Sequence, residues 1–208
     1  MHPQPAIFLD RDGVVNENRA DHVTAWDDFV LVRGALAGLR VLSDLHMPTF
    51  VVTNQAIVGR GVITPEALEA LHARMCTLLA SQGSRITAVY ACPHRPADRC
   101  ACRKPRPGLF FQAAHEHGLD LSGSYYIGDA LTDVAAGQAA GCTTVVVCTG
   151  RGRTQTLRPE AQPYSGYYVA RDLWHAARFI AEDRKRRAGR SPRLLSAMRL
   201  ALCNVQPL

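Results

Sequence analysis

Residues 5–16 read PAIFLDRDGVVN. A short apolar run breaks off at two acids, Asp10 and Asp12, and then a glycine. An apolar stretch of this length, rich in large side chains and ended by turn residues, predicts a strand buried on both faces. Four more runs share that form: TFVVTN at 49–54, ITAVYAC at 86–92, SYYIGD at 124–129 and TTVVVCT at 143–149. Helix signals fall between them. Leu36, Leu39, Leu42 and Leu45 recur every third residue within 33–46, and Thr64-Pro65-Glu66 offers an N-cap, an N1 proline and an early acid to a helix carrying Leu68, Leu71, Met75 and Leu79. Further helices are predicted from Pro107 to Gly118 and from Thr132 to Gly141. A sixth strand, GYYVA at 166–170, and a packing helix from Leu173 to Ile180 would close a domain at about 182. Strands alternating with helices predict an α/β, doubly wound (Rossmann-like) parallel sheet with helices on both faces, whose ligand crevice lies at the carboxyl ends of the strands.

With 208 residues and 47% hydrophobic content, the chain can bury a core without disulfides, which excludes a cross-linked mini-scaffold. Its apolar runs are all far shorter than the about 20 residues that span a bilayer, and the N-terminus lacks a secretory pattern, so no membrane is expected and the expected location is cytoplasmic. The net charge of +6 resides wholly in residues 171–208, where nine Lys and Arg face three Asp and Glu. This basic C-terminal extension, 183–208, is expected as a solvated connector, EDRKRRAGRSPR, followed by a short helix, LLSAMRLAL. It carries no aromatic residue for base stacking, so nucleic acid is not an expected partner. All the basic residues are arginine except Lys104 and Lys185. A lysine inside the domain therefore suggests a place where arginine would not serve.

Chemistry-bearing residues collect at the predicted strand ends. They are Asp10 and Asp12 after the first strand, Thr53 and Asn54 after the second, a Cys/His cluster after the third, and Asp129 with Asp133 after the fourth. Burying an unpaired carboxylate costs several kcal/mol, so acids repeated at corresponding strand ends call for a ligand. Carboxylates from two strands can hold one Mg2+, a hard cation that takes oxygen ligands. Such a site suits phosphoryl transfer through an aspartyl phosphate, with Lys104 and the Thr53 hydroxyl on the phosphoryl oxygens and an acid two residues beyond the nucleophile moving the proton.

The cluster CPHRPADRCAC at 92–102 brings Cys92, His94, Cys100 and Cys102 together, a spacing that suits a closed tetrahedral Zn2+ site. With no position open to water, such a zinc is expected to be structural, folding a loop that aims Arg103 and Lys104. Cys76, Cys142, Cys148 and Cys203 are expected to be thiols of packing or surface. His46, His72, His115, His117 and His175 have no partner in the sequence and are read as helix-surface or core residues.

In this order FLDRDGVVN, VVTNQ, CRKPRPG and IGDALTD resemble the four motifs of haloacid-dehalogenase-type (HAD) phosphatases, and with CPHRPADRCACRKP the resemblance narrows to the heptose-bisphosphate and histidinol-phosphate phosphatase group. It covers residues 5 to 182 and implies a HAD-like phosphatase domain over 1–182, capless, with a short zinc loop at 92–102. By that resemblance Asp10 is the nucleophile and Asp12 the general acid and base, and Mg2+ is held by Asp10, the Asp12 carbonyl and Asp129. It also implies that Thr53 and Lys104 stabilise the phosphoryl group, that Asn54, Gln55 and Arg103 reach a small phosphorylated substrate, and that Asp133 orients its neighbours. Asn16 and the segment Gly59-Arg60-Gly61 favour a heptose bisphosphate, whereas Ala20-Asp21 and Ala130 depart from the heptose pattern; histidinol phosphate and other small phosphomonoesters are the alternatives. A different class, a non-catalytic zinc module docking an anionic partner through the basic tail, would show no Mg2+-dependent release of phosphate.

Overall fold

The computed structural model describes residues 3–157 and 165–189. Six parallel strands, β1 (Gln4–Leu9), β2 (Thr49–Asn54), β3 (Ala88–Cys92), β4 (Leu119–Gly128), β5 (Thr143–Val147) and β6 (Tyr168–Ala170), form one sheet in the order β3-β2-β1-β4-β5-β6. The connecting helices are α1 (Ala35–Ser43), α2 (Ala56–Gly59), α3 (Pro65–Ser81), α4 (Gly108–His117), α5 (Leu131–Ala139), α6 (Gly152–Gln155) and α7 (Leu173–Gly189). Among the described residues no separate cap domain is inserted, and no helix is long and apolar enough to cross a membrane.

Alternation along β1 shows why its sequence is apolar throughout. Ile7 and Leu9 point into one core with Leu39, Leu42, Met75 and Leu79 of α1 and α3 and Ile180 of α7. Ala6 and Phe8 point into the other with Leu109 and Phe110 of α4 and Ala136 of α5. Both faces are thus dry, as a parallel sheet requires. Thr64 caps α3, accepting from Ala67 N at 3.1 Å, and Gly118 ends α4 in the left-handed conformation at φ 62°.

The parallel register sets the site. Leu9 lies level with Val51 and Ile127, Asn54 with Cys92, and Gly128 with Val146. Asp10, Thr53, the start of the cysteine loop and Asp129 therefore emerge along one edge. The chain turns from β1 to β2 on one side and reaches β4 on the other, so Asp10 and Asp129 flank the point where the strand order reverses and a crevice opens.

The expected domain end at 182 falls inside a helix. α7 runs on to Gly189, and Asp183, read as part of a solvated connector, is buried. The buried Tyr125 hydroxyl donates to Asp183 Oδ2 at 2.7 Å, and Arg187 bridges the same oxygen at 2.7 Å while donating to Thr143 Oγ1 at 2.8 Å. The steps from Ile180 to Asp183 and from Asp183 to Arg187, of three and four residues, thus keep one face of the charged run on the sheet. The predicted helix at 194–202 lies outside the described residues. A chain ended after Glu182 should be less stable than one ended after Gly189 by about 1–3 kcal/mol, the cost of leaving a buried hydroxyl without its acceptor. Urea denaturation of the two forms checks this.

Candidate active site

Asp10 leaves the tip of β1 with its carboxylate buried. Its Oδ1 accepts from Arg11 N at 2.7 Å and pairs with Lys104 Nζ at 3.0 Å. Lys104 Nζ also reaches Asp133 Oδ1 at 2.8 Å, Tyr126 Oη at 2.7 Å and Val52 O at 2.9 Å. The ammonium thus sits at one point ringed by four oxygens. Burial acts to lower its pKa, but the Asp10 and Asp133 carboxylates outweigh this and hold it up, so Lys104 stays charged. Asp10 responds the other way. Burial, only partly offset by Lys104 and aggravated by Asp133 and Asp129, pushes it up to about 7.

Asp129 and Asp133 complete the acidic group. Asp133 Oδ2 accepts from the backbone N–H of Asp129 and of Ala130, each at 3.0 Å, and Tyr126 Oη donates to its Oδ1 at 2.9 Å, so both oxygens are occupied by the protein. Asp129 is raised by burial and by the Asp133 charge, and Arg151 opposes this by placing its backbone N–H 2.8 Å from Oδ2 and its guanidinium 3.3 Å from Oδ1. The cradle around Asp129 is built from backbone without side chains. Gly13 and Gly150 both have positive φ, 87° and 55°, and a Cβ on either would overlap Asp129 Oδ2.

Ligand oxygens of Asp10, Asp129 and Asp133 lie within 4.8 Å of one another, all buried. Buried carboxylates in excess of the nearby cations, with two of them pushed toward the protonated form, are a donor set that fits a hard divalent cation.

Asp12 is handled differently. Arg11, which is 1% exposed, donates from Nε and Nη2 to its carboxylate at 2.9–3.1 Å; Asn16 Nδ2 adds a bond at 2.9 Å and Gln55 Nε2 one at 2.8 Å. Burial would raise its pKa, but the Arg11 charge and these hydrogen bonds bring it below the usual carboxylate value. Gln55 also donates to Thr53 Oγ1 at 2.9 Å and accepts from Arg11 Nη2 at 3.1 Å.

Two expected substrate contacts look different in three dimensions. The Asn54 amide is paired with the backbone of Lys104, Oδ1 accepting from N at 3.0 Å and Nδ2 donating to O at 3.1 Å. Gln55 uses both N–H groups and its carbonyl within the protein. Both line the crevice, but their polar atoms hold Lys104 and Asp12 in place, because a strand end beside buried charges must satisfy those charges first. Arg103 faces the crevice from its wall and gives one N–H to His94 O at 3.2 Å. The crevice, about 620 Å³, is rimmed by four arginines, Arg19, Arg60, Arg103 and Arg151, so it is suited to an anion.

The cysteine loop lies beside this wall. Cys92 Sγ is 3.7 Å from His94 Nδ1 and 3.6 Å from Cys100 Sγ; Cys102 Sγ is 3.3 Å from both other sulfurs and 3.2 Å from His94 Nδ1. Ligand atoms bonded at about 2.3 Å to a tetrahedral zinc lie about 3.8 Å apart. The four side chains are thus gathered close to the edges of such a tetrahedron, and the donor set fits zinc. Arg106 ties the loop by donating to Arg99 O and, at 2.7 Å, to Cys100 O.

The sequence alone does not single out Arg11, Arg151, Tyr126 or Gly150, and of the two places expected for His72, helix surface or core, the structure gives the core. His72 is buried on α3, its Nε2 3.0 Å from Arg11 Nη1. Burial and the Arg11 charge push it down to about 3, so it is neutral, with Nε2 accepting. An unfolded histidine titrates near 6.5, so this contribution is complete above pH 6.5 and declines by about 1.4 kcal/mol per pH unit as the pH falls toward 3. His72→Gln should flatten the loss of stability between pH 6.5 and 4.5 in chemical denaturation; an unchanged slope would contradict a neutral buried imidazole.

Comparison with known proteins agrees with this architecture. The model of the HAD-hydrolase-like family matches residues 101–176. The chain is 38% identical over 146 residues to D-glycero-beta-D-manno-heptose-1,7-bisphosphate 7-phosphatase of Pseudomonas aeruginosa, covering 70% of this chain and 82% of the relative. It is 37% identical over 177 residues to the protein of the same name from Bordetella bronchiseptica, covering 85% and 98%. The crystal structure of D,D-heptose 1,7-bisphosphate phosphatase from B. bronchiseptica complexed with magnesium and phosphate superimposes with a TM-score of 0.80 at 35% identity, covering 86% of this chain and 99% of that one. With relatives this similar over 82% or more of their length, and with the strand-end carboxylates in one crevice, the chain belongs to the HAD-like phosphatase family.

Proposed function

We propose that this protein is a Mg2+-dependent phosphatase that removes the 7-phosphate of D-glycero-β-D-manno-heptose 1,7-bisphosphate through an aspartyl phosphate on Asp10. The observation that carries this reading is the pairing of Asp10 with Lys104 at the strand-order reversal, beside Asp129 and under an arginine rim. The named activity of the relatives supports the substrate.

In this mechanism an Asp10 oxygen attacks phosphorus while the bond from phosphorus to the sugar oxygen breaks, and Asp12 gives its proton to the leaving alkoxide. Water then attacks the aspartyl phosphate, Asp12 takes the water's proton, and the bond between Asp10 and phosphorus breaks to release phosphate. Asp12 is ionised in the free enzyme; the charge of an arriving phosphate dianion raises its proton affinity, so that it takes up a proton from solvent on binding and then serves as the acid. Lys104 and the Thr53 hydroxyl stabilise the phosphoryl oxygens. A Mg2+ held by Asp10, the Asp12 carbonyl and Asp129 would neutralise the charge between the carboxylate and the phosphoryl group. The arginine rim suits a substrate with a second anionic group, which favours the bisphosphate over histidinol phosphate. The test is Mg2+-dependent phosphate release from both substrates: a higher kcat/KM on the heptose bisphosphate supports the proposal, and a preference for histidinol phosphate refutes its substrate.

Zn2+ on Cys92, His94, Cys100 and Cys102 would fix the loop that leads straight into Arg103 and Lys104. Cys100→Ser should reduce bound zinc well below one per chain and raise KM several-fold while kcat changes less, as metal analysis and steady-state kinetics would record. Protein purified without chelator and free of zinc would refute the site.

A further inference from the structure

His72 is an odd residue for its place. Its neighbours along the buried face of α3 are Leu68, Leu71, Met75 and Leu79, yet it brings a polar ring to within reach of a guanidinium 61 residues away. Arg11 heads the fully buried side chains by volume, and a buried cation needs hydrogen-bond partners on each of its nitrogens. Nε and Nη2 are taken by Asp12 and Gln55; Nη1 points the other way, to His72. A guanidinium is planar, so fixing Nη1 fixes the plane in which the opposite edge holds the Asp12 carboxylate.

We propose that His72 is a positioning residue, which by accepting the Nη1 hydrogen of Arg11 sets the orientation of the Asp12 carboxylate and hence its aim at the leaving oxygen. The role rests on reading Asp12 as the group that moves the proton. His72 touches neither substrate nor reacting atoms. It acts from the far side of the network, so a helix outside the crevice governs a carboxylate inside it.

A proton donor matters most when the leaving group is a strong base. A sugar alkoxide needs its proton as the ester bond breaks, while the weakly basic p-nitrophenolate leaves without one, and kcat/KM reports the steps up to formation of the phosphoenzyme. General acid catalysis contributes about 100-fold or more where it is needed. In His72→Leu, kcat/KM on heptose 1,7-bisphosphate should therefore fall at least about tenfold further than on p-nitrophenyl phosphate, with the circular dichroism spectrum and the Mg2+ concentration for half-maximal activity unchanged. His72→Gln, whose amide oxygen can accept from Nη1, should regain most of the loss. If the leucine variant does not fold, His72→Ala carries the same comparison. Equal losses on both esters, no loss in a folded variant, or a glutamine variant no better than the leucine one would overturn the role. A wild-type chain without Asp10-dependent hydrolysis of either ester would overturn the proposed function, and this role with it.

Discussion

Asp10→Asn should leave less than about a thousandth of the wild-type kcat, because an amide oxygen cannot form the acyl phosphate and the loss of a nucleophile costs orders of magnitude. The substitution is isosteric, and its carbonyl can still accept from Arg11 N and from Lys104 Nζ, the two contacts made by Asp10 Oδ1. The fold should therefore survive. The Asp10 carboxyl is raised to about 7, above the usual carboxylate value, because burial and the neighbouring Asp133 and Asp129 outweigh Lys104. A raised acid is a liability in the folded state once it ionises: between its unfolded and folded pKa values the folded chain binds the extra proton, and stability falls as pH rises through that window. Removing the charge should leave the metal-free protein at least as resistant to heat at pH 8 as the wild type. An inactive variant with an unchanged or higher melting temperature would separate loss of chemistry from loss of structure. Activity above about a hundredth of wild type would rule out covalent catalysis through this residue.

Much of this architecture could be read from the sequence because it is local. The apolar run of β1 stops at Asp10 and that of β2 at Thr53 and Asn54, and parallel packing then brings such ends to one edge. The chemistry at that edge is written in the same few residues. What could not be read depends on distance. Nothing in LEALHARM marks His72 as different from a surface histidine until α3 docks and sets it against Arg11. Arg11, between two acids, carries no signal of its own in the sequence, and it is buried because Asp12, Gln55 and His72 accept its hydrogen bonds. The run EDRKRR reads as solvent-facing, since its charges are dense. Yet Asp183 and Arg187 lie one helical turn apart and meet Tyr125 and Thr143 on the sheet. For Asn54 and Gln55 the motif shows that amides follow the strand, but not that the Lys104 backbone and the Asp12 carboxylate hydrogen-bond to them. Gly150 had a readable signal, a glycine just past a strand end facing the crevice, and its purpose appears only with Asp129 beside it.

Lys104→Met should be as inactive as Asp10→Asn and, unlike it, should also unfold more easily. The side chain is 2% exposed and its Nζ lies 2.7–3.0 Å from Asp10, Asp133, Tyr126 and Val52. Methionine matches its length but leaves two buried carboxylates facing each other without a cation, and removing one partner of a buried charged set costs about 3–5 kcal/mol. Lys104→Arg is the sharper test. Arginine supplies the charge, and this chain uses arginine for 22 of its 24 basic residues, so a requirement for positive charge alone would be met. A guanidinium, however, spreads its donors around a plane, whereas the four oxygens here surround a single atom. The larger group must displace the Asp10 carboxylate or, in the proposed mechanism, the phosphoryl oxygens, and Asn54 grips the Lys104 backbone on both sides, so the chain cannot draw back to make room. The arginine variant should therefore fall in kcat nearly as far as the methionine variant, while keeping more of its thermal stability because Asp133 retains a cation. Turnover near the wild-type rate in Lys104→Arg would show that charge, rather than the geometry of a compact ammonium, is what the crevice demands.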